Sequence, residues 1–302
     1  MMNLIFTTAL LVGAMAAQEP PSGATGAAKK GSAGKGKNPE GVPLRRQLPA
    51  SVKVERDLVY ARYGDREVKL DLYLPKQPAA AKIPCIVVIH GGGWRSGDKT
   101  RFAAQAAYLA DQGFAAACIG YRLLPEVTFP APIVDCKAAV RWVRANAKKH
   151  GLDPDRIGAT GGSAGGHLTA MLATSHQEKK LEGEGGHASF SSRIQAAVAM
   201  ATPADLARLG ERAGFDSKLA ALVSPVTYVD RQTAPMLLLH SDTDRTVPYA
   251  QSELLLRKLQ ENGVPAELVK IPNAPHAFWN GEQWFGDVMT RTTQFFRTHL
   301  GR

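Results

Sequence analysis

Ser163 sits at the centre of Gly161-Gly162-Ser163-Ala164-Gly165, a G-x-S-x-G pattern with a strand-like run before it and a helix-like run after it. A serine on a sharp strand-to-helix turn has its Oγ raised into solvent, where it can act as a nucleophile in acyl transfer. The small neighbours are a steric requirement, because bulky side chains there would meet the returning backbone. The same five residues would also serve as a Gly-rich βα turn with a capping serine, so the reading depends on what else the chain supplies.

Upstream, His90-Gly91-Gly92-Gly93-Trp94 follows directly from an apolar run. Three successive glycines expose backbone N–H groups with no side chains in the way, as an oxyanion-binding loop requires. The amides of Gly92, Gly93 and Ala164 are the candidate donors, each worth roughly 2.7–4 kcal/mol to a transition state. The pattern matches neither G-x-G-x-x-G nor a P-loop. His90 is expected to brace the loop. Trp94 is a candidate wall of a substrate pocket, with ordinary packing as its alternative.

Downstream, two strand-like runs each end in a loop with titratable residues. The first loop is Ser241-Asp242-Thr243-Asp244-Arg245-Thr246-Val247-Pro248, and the second is Pro272-Asn273-Ala274-Pro275-His276-Ala277-Phe278. The chain order Ser, Asp, His is that of a nucleophile, an orienting acid and a general base on one sheet edge. His276 is the candidate base. Asp244 is preferred to Asp242 as its partner, because Asp-x-x-Val-Pro sets it just before the next helix.

These residues need a scaffold, and the rest of the chain spells one out. Strand signals fall at 52–60, 66–73, 85–90, 114–120, 156–160, 194–200, 236–240 and 267–271. Helix signals fall at 100–112, 133–149, 166–174, 249–261 and 285–300. The first two strands read as an antiparallel pair turned at Gly64-Asp65. The later alternation predicts an α/β fold with a mostly parallel sheet and helices on both faces. Residues 51–302 are expected to be one catalytic domain.

The first fifty residues read differently. Residues 4–17 form an apolar run ending in small residues, too short to span a bilayer comfortably, and residues 1–17 are expected to be a secretory signal. Residues 18–50 are rich in Gly, Ala, Pro, Ser and Lys and read as a disordered basic linker. The chain to residue 46 contributes +4 to a net charge of +10. Without interleaved aromatics or a nucleic-acid motif, that linker reads as a solvated tether. Export to the periplasm or outside the cell is the expected location, without stable membrane insertion after signal removal. Cys85, Cys118 and Cys136 lack metal-ligand spacing and make no disulfide framework; a single pair is the alternative in an oxidising compartment.

Taken together, the chain from about residue 52 resembles the α/β-hydrolase superfamily, specifically esterases of the BD-FAE and hormone-sensitive-lipase-like type. Besides the two glycine motifs, the resemblance rests on Tyr121-Arg122-Leu123, Phe129-Pro130-Ala131, Asp135-Cys136-Lys137-Ala138-Ala139, Asp153-Pro154-Asp155-Arg156-Ile157, Ser224-Pro225 and Val229. It implies carboxylic ester hydrolysis without a metal or organic cofactor, on a small-molecule or polysaccharide-linked ester. Two departures narrow it. Gly162 stands where hormone-sensitive-lipase-like enzymes usually carry Asp or Glu, and a low-complexity tether replaces their N-terminal helical cap. Candidate covers are then residues 175–192 and 204–223, and the lightly covered site suits short acyl groups, such as acetyl or feruloyl, on bulky alcohols. An amide-cleaving relative (arylformamidase or exopeptidase) and a non-catalytic binding module are the alternatives.

Overall fold

A computed structural model describes residues 47–209 and 216–301. The expected signal segment and all but the last four residues of the expected linker lie outside the described residues. The chain enters with β1 (Val52–Tyr63) and β2 (Arg66–Pro75), an antiparallel pair in which Tyr63 faces Arg66 across the Gly64-Asp65 turn. It continues through β3 (Ile83–Ile89), α1 (Ala103–Asp111), β4 (Ala115–Ile119), α2 (Ala131–Ala145), α3 (Ala147–His150), β5 (Leu152–Gly162) and α4 (Ala164–Thr174). The rest comprises β6 (Ala196–Met200), α5 (Ser217–Leu222), β7 (Met236–Ser241), α6 (Ala250–Glu261), β8 (Ala266–Ile271) and α7 (Glu282–Leu300).

The eight strands form one sheet in the order β1-β2-β4-β3-β5-β6-β7-β8. β2 pairs antiparallel with β1 and β4, and every other pairing is parallel, as the alternation of elements predicts. Side chains alternate across each strand, so β3 sends Cys85, Val87 and Ile89 to one apolar layer and Ile86 and Val88 to the other. α2, α4 and α6 cover the first face through Ile133, Val140, Leu168 and Leu255. α1 and α7 cover the second through Leu109, Phe285 and Phe296. The three cysteines are buried, unpaired thiols within these layers.

Register decides where chemistry can sit. Ile89 of β3 pairs with Gly161 of β5, and Gly162 pairs with Met200 of β6. The glycine loop after β3 and the turn after β5 therefore leave the sheet side by side, at the carboxyl edge where open α/β sheets place their sites. The expected helix 133–149 is divided at Asn146, whose Nδ2 and backbone N–H both donate to the Trp142 carbonyl at 2.9 Å.

One expectation needs correcting. Residues 175–192, a candidate cover, pack instead on α2 and the β1–β2 hairpin. The reason is charge: Lys137 and Arg141 are buried on α2, and an ammonium or guanidinium removed from water needs partners. Lys137 Nζ donates to Glu182 and to the Ser175 carbonyl, both at 2.7 Å. Arg141 binds the Glu182 carboxylate at 3.0 Å and the Gly186 carbonyl at 3.1 Å. Gly185 leaves no room for a β-carbon beside Tyr63 and Ala138. The other candidate, 204–223, holds α5 and borders the site described below.

Removing the counter-ion should expose the importance of this strap. Glu182→Ala leaves the buried Lys137 ammonium without its carboxylate and should lower unfolding stability by about 3 kcal/mol. A urea unfolding midpoint equal to that of the wild type would show that carbonyls alone satisfy Lys137.

Candidate active site

β5 ends at Gly162 and α4 starts at Ala164, so Ser163 alone makes the turn between them. It does so at φ 57° and ψ −121°, a conformation that costs a non-glycine residue about 1–3 kcal/mol and persists only when neighbours enforce it. Here its N–H donates to the Met200 carbonyl and its carbonyl accepts from His167 N–H, each at 2.9 Å. A β-carbon on Gly162 would stand 2.6 Å from the Trp279 indole, and one on Gly165 would drive into the Ile89 carbonyl. Gly162, the departure noted in the sequence, is thus dictated by Trp279.

His276 bridges the two other members of the trio. Its Nε2 lies 2.9 Å from Ser163 Oγ and its Nδ1 lies 2.6 Å from Asp244 Oδ2. Because a carboxylate only accepts, Nδ1 carries the proton and Nε2 presents its lone pair to the serine hydroxyl. Trp279 packs edge-on against the imidazole, with centroids 5.6 Å apart, and so supports both the histidine and the elbow. The Asp244 side chain is fully buried. Burial pushes its carboxyl pKa up, but hydrogen bonding from His240 and His276 and the amide of Val247 outweigh burial and hold it well below the usual carboxylate range. Oδ1 accepts from Thr246 N–H at 2.8 Å and Val247 N–H at 3.0 Å.

Asp242 is exposed and does a different job. Its Oδ1 accepts from Asn273 N–H at 3.0 Å, while Ser241 and Thr243 hydroxyls donate to the Ala274 carbonyl at 2.6 and 3.1 Å. These three bonds lace the loop after β7 to the loop after β8, fixing His276 relative to Asp244.

The glycine loop lies against the elbow: a β-carbon on Gly91 would come 2.7 Å from the Gly162 carbonyl. Gly92 has φ 124°, and its carbonyl accepts from Arg95 and Ser96 N–H groups at 3.1 Å. The loop carrying the Gly92 and Gly93 amides is therefore shaped by its own turn. Ala164 N–H heads α4, where it has no intrahelical acceptor. His90 is buried and stacked on Tyr121 at 4.3 Å, and its Nδ1 meets the Gly91 carbonyl at 2.8 Å. Burial lowers its pKa to about 4, so it braces the loop as a neutral ring.

Trp94 is half-buried. Its indole N–H donates to His167 Nδ1 at 3.2 Å, and its ring meets His167 and Phe129 edge-on. His167 Nε2 donates to the Val223 carbonyl at 2.6 Å. Burial lowers the His167 pKa to about 4, which suits a neutral ring donating on one side and accepting on the other. Trp94, α4 and the segment around α5 are thereby pinned together. That segment is also held by Gln251 of α6, whose Oε1 accepts from Ala204 and Asp205 N–H groups at 2.8 and 2.7 Å.

The sequence pattern singles out none of His167, His240 and Trp279. His167 lies in the first turn of α4, four residues after Ser163; His240 lies near the end of an apolar strand, four residues before Asp244. Among the described residues, no group of three or more His, Cys, Asp or Glu side chains is arranged to hold a metal ion. No described helix is long and apolar enough to cross a membrane.

Comparison with known proteins agrees with this architecture. The BD-FAE family model matches residues 70–259. The probable carboxylic ester hydrolase LipM of Mycobacterium tuberculosis is 32% identical over 244 residues, covering 74% of this chain and 56% of LipM. The chain thus spans a little over half the length of the curated relatives it matches. Among solved structures, a truncated carbohydrate esterase from gut microbiota superposes with a TM-score of 0.73 at 29% identity, covering 83% of this chain and 97% of that one. Propionate-bound esterase 2 of Thermogutta terrifontis gives 0.73 at 30% identity, covering 82% and 94%. With an eight-stranded, mostly parallel sheet, helices on both faces and a family match across most of it, this chain is an α/β-hydrolase-fold protein that belongs to the BD-FAE family.

Proposed function

We propose that the chain is a serine carboxylic ester hydrolase that works through an acyl-enzyme. The observation that carries this is His276 held between a serine hydroxyl and a buried carboxylate, beside the glycine loop that follows β3. Ser163 Oγ attacks the ester carbonyl as its proton passes to His276 Nε2. The amides of Gly92, Gly93 and Ala164 receive the negative charge that develops on the carbonyl oxygen. Collapse expels the alcohol, which takes the proton from His276, and leaves the acyl group on Ser163. Water, deprotonated by the same nitrogen, then releases the acid and regenerates the serine. Asp244 keeps the imidazole in the right tautomer and offsets its positive charge.

The substrate reading is a short acyl group on a bulky alcohol, with acetyl or feruloyl decorations of plant polysaccharides as the specific case. Support comes from the propionate found in one structural neighbour and the carbohydrate esterase found in another. We further propose export to the periplasm or beyond, on the apolar run at residues 4–17.

A fluorophosphonate probe should label the wild type and fail to label Ser163→Ala; a folded wild type that resists labelling would refute the mechanism. Ser163→Ala and His276→Ala should each lower kcat by about four to six orders of magnitude. Asp244→Asn should cost about four orders, whereas Asp242→Asn should act mildly through the laced loops; the reverse ranking would overturn the assignment of the acid. On a panel of soluble acetylated xylan, short and long nitrophenyl esters and peptide amides, turnover should favour the first two. Activity confined to long-chain esters would remove the substrate class, and faster amide cleavage would make the chain an amidase.

A further inference from the structure

Asp244 is wrapped by a second histidine that the triad does not use. His240 is the penultimate residue of β7 and has no solvent exposure. Its Nε2 lies 3.0 Å from the Val247 carbonyl and 3.3 Å from Asp244 Oδ2. Both oxygens can only accept, so Nε2 carries a proton that lies between them. On the other side of the ring, Nδ1 lies 2.7 Å from the Oγ of Ser252, a fully buried residue in the first turn of α6. In the neutral ring that nitrogen accepts, so the serine hydroxyl donates and selects the Nε2–H tautomer. Tyr249 closes the site edge-on at 5.5 Å.

We infer that His240, set by Ser252, is a positioning residue that holds the Asp244 carboxylate in register with His276. Oδ1 is fixed by two amides of its own turn, but among the described residues Oδ2 otherwise depends on His276, whose charge changes in each half-reaction. His240 acts on both parts of the arrangement. It holds the Val247 carbonyl, and with it the turn whose Val247 N–H binds Oδ1, and it places an N–H beside Oδ2. The chain thus carries a relay Ser252–His240–Asp244–His276–Ser163 that runs from the start of α6 to the elbow. This inference rests on the reading of Asp244 as the acid of the triad.

The test is a double-mutant cycle on a short nitrophenyl ester. His240→Phe fills the ring's space without a donor and should lower kcat about tenfold, the scale of one hydrogen bond to a charged group, with KM changed less than about twofold. In an Asp244→Asn background the same change should cost almost nothing more, because its target is gone. Equal losses in both backgrounds would assign His240 to general packing and overturn the inference, as would an unchanged kcat in folded His240→Phe. Should that variant fail to fold, Ser252→Ala carries the test: a kcat drop of about threefold that vanishes beside Asp244→Asn supports the relay, and a wild-type kcat refutes it. If Asp244→Asn alone leaves turnover intact, the underlying triad reading fails instead, which separates the two outcomes.

Discussion

A carboxylate withdrawn from water remains an anion only if donors replace its hydration, and the site is arranged around meeting that condition for Asp244. Two backbone amides and the His276 imidazole close on its oxygens, with the His240 N–H at 3.3 Å. The negative charge kept in this way makes His276 donate through Nδ1, and that leaves Nε2 free to face Ser163. Were Asp244 neutral, the His276 tautomer would lose its anchor. The lacing of the two loops by Asp242, Ser241 and Thr243 serves the same end, since a charge-assisted bond of 2.6 Å requires that neither loop drift.

The sheet solves the companion problem of bringing distant segments together. Parallel pairing of β3 with β5 and of β7 with β8 points four chain ends at one edge. Each end then contributes a different chemical part: amides after β3, hydroxyl after β5, carboxylate after β7, imidazole after β8. Buried polar contacts behind that edge, among them Trp94 with His167 and Gln251 with residues 204 and 205, fix the surrounding walls without adding reactive groups.

How much of this was readable in advance follows from where each constraint resides. Ser163 and the glycine loop are legible because steric demands of tight turns act on neighbouring residues and leave a local pattern. Asp244 and His276 are legible because strand ends are, although the choice between Asp242 and Asp244 is settled only by which carboxylate faces the imidazole. Trp279, His167 and His240 owe their roles to contacts across more than one element, and an aromatic or histidine in a loop, helix or strand carries no local mark of such a contact. The segment 175–192 misled for a related reason. Its polar, Gly-rich text suggests a solvated cover, and only burial of Lys137 and Arg141 reveals Glu182 as their counter-ion. The break at Asn146 was likewise hidden inside a pattern that continues through it.

The contact between Gly162 and Trp279 has a consequence for how such chains diverge. An indole lying 2.6 Å from where a β-carbon would be makes the two positions a locked pair. Drift at residue 162 toward an acid is blocked while the indole stays, and loss of the indole opens a hole beneath the His276 ring while residue 162 stays glycine. A lineage moving between a bare elbow and an acidic one must therefore cross a valley of two coupled substitutions. That barrier would keep chains with glycine before the elbow serine apart from those with an acid there, even where their sheets superpose.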